Sequence, residues 1–158
     1  MSRASDVRDA IATDLQTQFP SEVVEKFMIA DFTREELSLQ RRIGVRTGSR
    51  TIEIDQGVDE RRVVIEVAVI GVVPEKTGST DAAYRSQTMA ACDAFDLLME
   101  SIIAKWTPDG MFRHKAMADH RFVLLEQSVQ FDVQKLYSEG LWLSLIRLTY
   151  QDCLDEGE

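Results

Sequence analysis

Residues 62–73 read RVVIEVAVIGVV, an apolar run rich in β-branched side chains that stops before Pro74 and is typical of a β-strand. Successive side chains of a strand point to opposite faces of its sheet. One parity of the run consists of Val63, Ile65, Val67 and Val69, and the other of Val64, Ala68, Ile70 and Val72, with Glu66 as an ionisable interruption. The run therefore predicts a strand that is apolar on both faces.

A second stretch, residues 141–150, has the same two-sided character. Its parities are Trp142, Ile146, Leu148 and Tyr150 on one face, and Leu141, Leu143 and Leu145 on the other. Residues 129–134 alternate strictly between apolar and polar side chains, and residues 137–140 have the composition of a turn. These segments predict an antiparallel hairpin that ends the fold.

The N-terminal region opens with a short helix. Apolar residues recur every four positions between Asp6 and Gln18, with Ser5 as the predicted N-cap and Pro20 close to the end. Residues 23–32 fit a strand or a helix.

Residues 33–36 fit a capping box that begins a single helical turn. After them the period changes to two, which is the period of a strand. Alternation over residues 42–46 and again over 51–55 predicts two strand pieces around a turn at Gly48 and Ser49.

One long helix is predicted from Asp81 to Trp106, because apolar residues follow three-four spacing there and Pro108 and Gly110 close the segment. No repeat or linker divides the chain, so residues 1–158 are predicted to form one domain. The predicted fold class is α+β: a mainly antiparallel sheet of four or five strands, with the long helix and the short N-terminal helix packed on one face.

The second apolar face of this sheet needs a cover. Each fully buried aliphatic side chain contributes roughly 1.5 to 3 kcal/mol, so half a dozen of them left in water would cost more than a marginally stable domain has. Oligomerisation is the simplest remedy. The alternative, which the sequence leaves open, is that residues 107–128 fold over this face.

Composition excludes several function classes. The 158 residues include 18 basic and 27 acidic side chains, for a net charge of −9, which argues against a nucleic-acid clamp. No apolar run approaches the roughly 20 residues of a membrane helix, and the N-terminus does not resemble a signal peptide, so we expect a cytosolic protein without membrane contact.

The residue pattern predicts no catalytic residue, no metal and no cofactor, and therefore a protein that is not an enzyme. Asp93, Asp96 and Glu100 share a helix face but lack converging partners, so a solvated face is the simpler interpretation. The triplet His114, Asp119 and His120 arises easily in a polar loop. A metal-dependent nuclease would use Asp55 and Glu66, but Ala68 stands where such folds carry a lysine.

Two groups of residues are candidates for an oligomer or partner interface. Arg41, Arg42, Arg46 and Arg50 lie in a segment without acidic residues, whereas residues 152–158 carry only negative charges, which suits contact between charged protein surfaces. A solvated strand face is the plainer reading of these arginines. The apolar candidates are those of the second sheet face: Val64, Ala68, Ile70, Leu141, Leu143 and Leu145.

The order of elements resembles the tail-terminator, or tail-completion, proteins of tailed bacteriophages. The resemblance covers nearly the whole chain: an N-terminal helix, the strand segment 39–46, the strand 63–70, the long helix and the closing strand 140–150, which ends in Leu-Thr-Tyr. The usual aromatic opening of the middle strand is replaced here by Arg61, Arg62 and Val63. The shared features are patterns of side-chain type and include no catalytic motif.

The resemblance implies a structural virion protein at the junction of tail and neck, assembled in the host cytoplasm. Such proteins form rings, commonly hexamers, that cap the head-proximal end of the tail tube and stop its polymerisation. The implied partners are further copies of the chain, the tail tube protein, a neck or head-tail connector protein and, as an additional candidate, the tail sheath. Genome DNA would be in contact only in transit through the channel, where a negative lumen lets it slide.

Three alternatives remain open at this point. The nearest is another neck component, such as a head-completion or stopper protein. The second is the nuclease with Asp55 and Glu66. The third is a small adaptor that binds a protein partner in the bacterial cytosol.

Overall fold

The computed structural model describes residues 3–26, 33–55, 58–73, 81–106, 114–117, 120–131 and 140–154, with side chains described at 5–26, 33–48, 63–73, 81–105 and 140–150. The described residues form three helices: α1 (Arg3–Gln18), α2 (Arg34–Leu39) and α3 (Asp81–Ile103), the last followed by a 3-10 turn, Ala104–Trp106. The strands are β1 (Val23–Glu25), β2 (Arg42–Asp55), β3 (Val58–Val72), β4 (His114–Met117), β5 (His120–Phe131) and β6 (Leu141–Leu154).

The strands form one six-stranded sheet in the order β1-β2-β3-β6-β5-β4. The short β1 pairs parallel to β2, and every other neighbouring pair is antiparallel. The predicted α+β class, with a mainly antiparallel sheet, is therefore confirmed. The predicted antiparallel pairing of the last two strands is also confirmed, with Phe131 of β5 opposite Ser144 of β6. Residues 132–139, which include the end of the predicted strand and most of the predicted turn, lie outside the described residues.

The first sheet face, defined by Val63, Ile65, Val67 and Val69 of β3, carries the main core. These four side chains are at most 2% exposed. Helices α1 and α3 cover them and the matching face of β6, as the sequence predicts, through Val7, Ile11, Leu15, Phe95, Leu98, Met99 and Ile102.

Two details of the helices differ from the prediction. Helix α1 begins at Arg3, so Ser5 lies inside the helix and is not its N-cap. In α3 the buried residues are confined to the C-terminal half, from Phe95 to Ile102. Tyr84 and Thr88, which continue the three-four spacing toward the start of the helix, are only half-buried, so this helix covers less of the sheet than its spacing predicts.

The predicted turn at Gly48 and Ser49 is wrong. β2 runs through both residues, and its register with β3 shifts between Thr47 and Arg50, so one extra residue is absorbed as a β-bulge. A Cβ atom on Gly48 would lie 2.8 Å from Val64 Cγ1 and 3.1 Å from Glu66 Oε1. Glycine at this position therefore lets the bulged backbone approach β3 closely.

The alternative cover for the second sheet face is also wrong where it is described. Residues 114–117 form the edge strand β4 and residues 120–128 belong to β5, the strand next to it, so both segments lie within the sheet and do not fold over a face; residues 107–113, 118 and 119 lie outside the described part. The element that packs on the second face is α2, whose Leu37 forms a buried cluster with Ala68, Ile70 and Leu145.

The predicted capping box of α2 is confirmed. The Thr33 hydroxyl accepts a hydrogen bond from the Glu36 backbone N–H at 3.2 Å, and the Thr33 N–H donates to the Glu36 carboxylate at 3.2 Å. Such a box satisfies two N–H groups at a helix start that would otherwise lack partners.

Replacing Thr33 with alanine is expected to lower the free energy of unfolding by about 1 kcal/mol, because the cap that holds α2 on the sheet is lost. Urea denaturation followed by circular dichroism measures the change. Thr33→Ser keeps the hydroxyl and serves as the control, with an expected change of only a few tenths of that amount. Equal destabilisation by both substitutions would contradict a capping role.

Candidate functional site

The second sheet face is defined here by the described side chains that β2, β3 and β6 present opposite to the main core. Its residues meet in cross-strand rungs, that is, sets of directly paired residues: Arg46–Glu66–Arg147, Gly44–Ala68–Leu145, Arg42–Ile70–Leu143, and the pair Val72–Leu141. Val64, paired with Thr149, continues the face on the other side of Glu66. A charged rung therefore interrupts an otherwise largely apolar surface.

The charged rung explains why a carboxylate stands in the middle of an apolar strand. The Glu66 side chain is 7% exposed, and its Oε2 lies 3.0 Å from Arg46 Nη2 and 4.0 Å from Arg147 Nη2. A carboxylate removed from water in this way needs cationic partners. Because one carboxylate meets two guanidinium groups, the rung keeps one positive charge in excess.

The apolar rungs are unequally covered. Ala68, Ile70 and Leu145 are buried beneath Leu37 of α2. The other apolar residues of this face, Val64, Val72, Leu141 and Leu143, are half-buried. Within the described residues, the six-residue helix α2 covers one end of this face and leaves the remainder partly open.

The structure separates the four predicted interface arginines. Arg41 lies on the opposite side from Arg42: its guanidinium forms a bidentate pair with Glu22, at 2.6 Å for Nη2 to Oε1, and donates from Nη1 to the Ala94 carbonyl oxygen at 3.2 Å. Arg41 therefore ties the edge of the sheet to α3 and does not belong to the second sheet face.

Of the other three arginines, two belong to the second sheet face. Arg42 pairs in register with Ile70 and donates to the Gln40 carbonyl oxygen at 2.8 Å, and Arg46 pairs with Glu66. Arg50, beyond the bulge, pairs in register with Val63, and its side chain lies outside the described part. Sequence reasoning missed Arg147, which only the pairing of β6 with β3 brings to this surface.

The geometry does not support the nuclease alternative. Glu66 of β3 pairs with Arg46, whereas Asp55 pairs with Val58, which lies eight residues before Glu66 in β3. At roughly 3.4 Å per residue the two positions are about 27 Å apart, too far to share a metal ion. Among the described residues, no group of three or more His, Cys, Asp or Glu side chains is arranged to hold a metal.

The triplet of two histidines and an aspartate cannot be placed as a group, because one member lies outside the described residues. His114 pairs with Val123 and His120 with Met117 in the edge hairpin, and Asp119 lies outside the described residues.

Cys92 is a half-buried thiol beside the core. Burial, and secondarily the negative charge of Asp93, raise the pKa of this thiol above its ordinary value. Because the protonated thiol is the poorer nucleophile, we expect Cys92 to react slowly at neutral pH.

We therefore expect Cys92 in a Cys153→Ser background to be alkylated by iodoacetamide more slowly than free cysteine at pH 7. Its rate is expected to rise as the pH approaches and passes its raised pKa. Because the folded pKa is the higher one, the thiol favours the fold below the unfolded pKa and loses this contribution as pH rises through the folded pKa. Asp93→Asn is expected to speed the reaction, and an unchanged pH profile would contradict the charge effect.

The outer face of α3, between Met89 and Glu100, is a second surface with unusual composition. Met89 is 65% exposed and Leu97 is 64% exposed. Asp93, Asp96 and Glu100 lie around them and are also exposed, which agrees with the predicted solvated face for these three carboxylates. Sequence reasoning missed the two apolar residues, although their place opposite the buried stripe is readable from helical spacing.

In the part of the chain that the structure describes, no helix combines the length and apolarity that crossing a membrane requires. No protein-family model matches the sequence, and no curated protein matches it.

Proposed function

We propose that this protein is a ring-forming structural component of a tailed bacteriophage virion, a tail terminator that caps the head-proximal end of the tail tube. The observation that carries the proposal is a sheet with two apolar faces, of which the second is covered, within the described residues, by a helix of only six residues. One further observation supports it: the order of helix, long strand pair, long helix and closing strands follows the element order by which the sequence resembles this family.

A ring accounts for the second sheet face in physical terms. A heterologous contact joins two different surfaces of neighbouring copies, and when the rotation between copies closes, the result is a ring. A neighbouring copy would then bury the exposed parts of the half-buried Val72, Leu141 and Leu143. The charged rung around Glu66 would give that contact direction and register.

The mass of the purified protein, measured by light scattering alone and with tail tube protein, tests the proposal. A hexamer of 17.9 kDa chains has six times that mass, about 107 kDa. We expect this ring mass, association with tube protein, and a halt in tube growth when the ring is added. A chain that stays monomeric alone and with tube protein would overturn the proposal.

The neck alternative gives a different result in the same measurement. A head-completion or stopper protein is expected to assemble on the connector and to leave tube growth unchanged. Tube length in electron micrographs, with and without the protein, separates the two functions.

A further inference from the structure

Two partly apolar surfaces among the described residues, the second sheet face and the outer face of α3, lie on opposite sides of the domain. α3 packs on the first sheet face, so its outer face is directed away from the sheet, whereas the second sheet face lies on the other side of the strands. A two-fold symmetric contact places a surface against its own copy. A head-to-tail contact uses both surfaces at once and repeats around a ring.

The two surfaces are complementary in charge. The strands of the second sheet face contribute three arginines, Arg42, Arg46 and Arg147, and one carboxylate, Glu66, among their described residues. Arg147 is the most exposed member of the charged rung, at 48%. The outer face of α3 carries Asp93, Asp96 and Glu100. The chain as a whole has a net charge of −9, yet the second sheet face is locally positive and the outer face of α3 is acidic. Opposite charges on opposite sides of the domain suit a head-to-tail contact between copies.

The surfaces are also complementary in their apolar content. Met89 and Leu97 project from the α3 face with about two thirds of their surface exposed. Leu141, Leu143 and Val72 are partly open on the sheet face. Burying two such helix side chains against the sheet removes apolar surface from water, whereas the surrounding charges set orientation and discriminate against wrong partners.

We propose that the second sheet face of one copy receives the outer face of α3 of the next copy. This inference rests on the proposed ring and names the two surfaces that form it. Arg42 and Arg147 face the acidic residues of the neighbouring helix, and Leu97 packs on the open apolar rungs. The Arg46–Glu66 pair stays intact within each copy and positions Arg147.

Two charge-altered variants test the contact. The sheet variant, Arg42→Glu with Arg147→Gln, makes the sheet face negative and keeps the Arg46–Glu66 pair. The helix variant, Asp96→Lys with Glu100→Lys, makes the outer face of α3 positive. Each variant alone places like charges opposite each other, whereas an equimolar mixture places opposite charges at every contact of an alternating ring. Thr13→Lys with Thr17→Lys, on the exposed side of α1, is the control for added positive charge.

Light scattering measures the mass of the assembly, and native mass spectrometry measures how many copies of each chain it contains. Each variant alone is expected to assemble at least tenfold more weakly than the wild-type chain, and the mixture is expected to restore the ring mass with both chains in equal numbers. Leu97→Glu, a single change at an exposed position, is expected to weaken assembly without altering the far-ultraviolet circular dichroism of the monomer.

The outcomes separate this inference from the proposed function. If the wild-type chain forms a ring and both variants form it equally well, or if the folded variants fail to reassemble when mixed, the surfaces named here are wrong while the ring stands. If the wild-type chain is monomeric with and without tail tube protein, both proposals fail. An intact ring in the α1 control, together with loss in the two variants, supports the contact.

Discussion

Replacing Gly71 with valine is expected to lower the free energy of unfolding by about 3 kcal/mol or more, because overpacking in a close-packed core forces side chains and backbone apart. A Cβ atom on Gly71 would overlap the ring of Phe95 from α3, specifically its Cζ and Cε1 atoms. That ring is 8% exposed and lies 5.8 Å, centroid to centroid, from the indole of Trp142, the residue paired with Gly71 in β6. The absence of a side chain at Gly71 therefore leaves the space on the sheet into which Phe95 of α3 packs.

Urea denaturation of Gly71→Val measures the loss, and the same measurement on Gly71→Ala, Phe95→Leu and the double variant Gly71→Ala with Phe95→Leu tests its cause. The smaller leucine makes room for the added methyl group, so the double variant is expected to be more stable than the sum of the two single changes predicts. The coupling is expected to exceed the roughly 0.3–0.5 kcal/mol within which independent sites are additive. Additive effects would show that Gly71 and Phe95 do not share a packing constraint.

Replacing Glu66 with alanine is the second change with a large expected effect, a loss of about 1 to 3 kcal/mol of folding free energy. Removing the carboxylate leaves Arg46 and Arg147 without their shared counter-ion on a partly buried surface. Breaking a buried ion pair costs about 3 to 5 kcal/mol. The lower figure applies here because the two arginine side chains are 31% and 48% exposed and solvent screens them.

Arg147→Gln is the matched control for this prediction, because its 4.0 Å contact is long and half exposed; it is expected to change stability by less than about 1 kcal/mol. Glu66→Ala also separates the structural role from the nuclease alternative. If Glu66 were a metal ligand, Glu66→Ala would abolish divalent-cation binding, measured by isothermal titration calorimetry, with little loss of stability. Full stability of Glu66→Ala would contradict the role assigned to the rung.

Strand parity allowed much of the sheet to be predicted. The alternate residues Val63 to Val69 and their counterparts in residues 141–150 lie where their spacing places them, because burial on both faces leaves a continuous apolar signal in the sequence. The bulge at Gly48 was not predictable in the same way. Glycine followed by serine is compatible with a turn, and only pairing with a distant strand decides that β2 continues.

The candidate site was predicted in part, for a similar reason. The six apolar residues of the second sheet face were identified by parity, but Arg41 and Arg42 are neighbours in sequence and lie on opposite faces, so a contiguous basic stretch is not one surface. Arg147 reaches Glu66 only through the pairing of β3 with β6. The burial of Leu37 against that face depends on where α2 folds back, which no local pattern specifies.

The place of β6 in the strand order has a consequence for synthesis on the ribosome. β6 lies between β3 and β5, yet it is the last of the described strands to be translated. Until residues 141–152 emerge, β3 has no partner on one of its edges and β5 has none on the side that β6 later fills. Unpaired strand edges recruit other chains. A nascent chain stopped before residue 141 is therefore expected to be prone to aggregation, and β6 is the strand whose pairing joins β3 to β5.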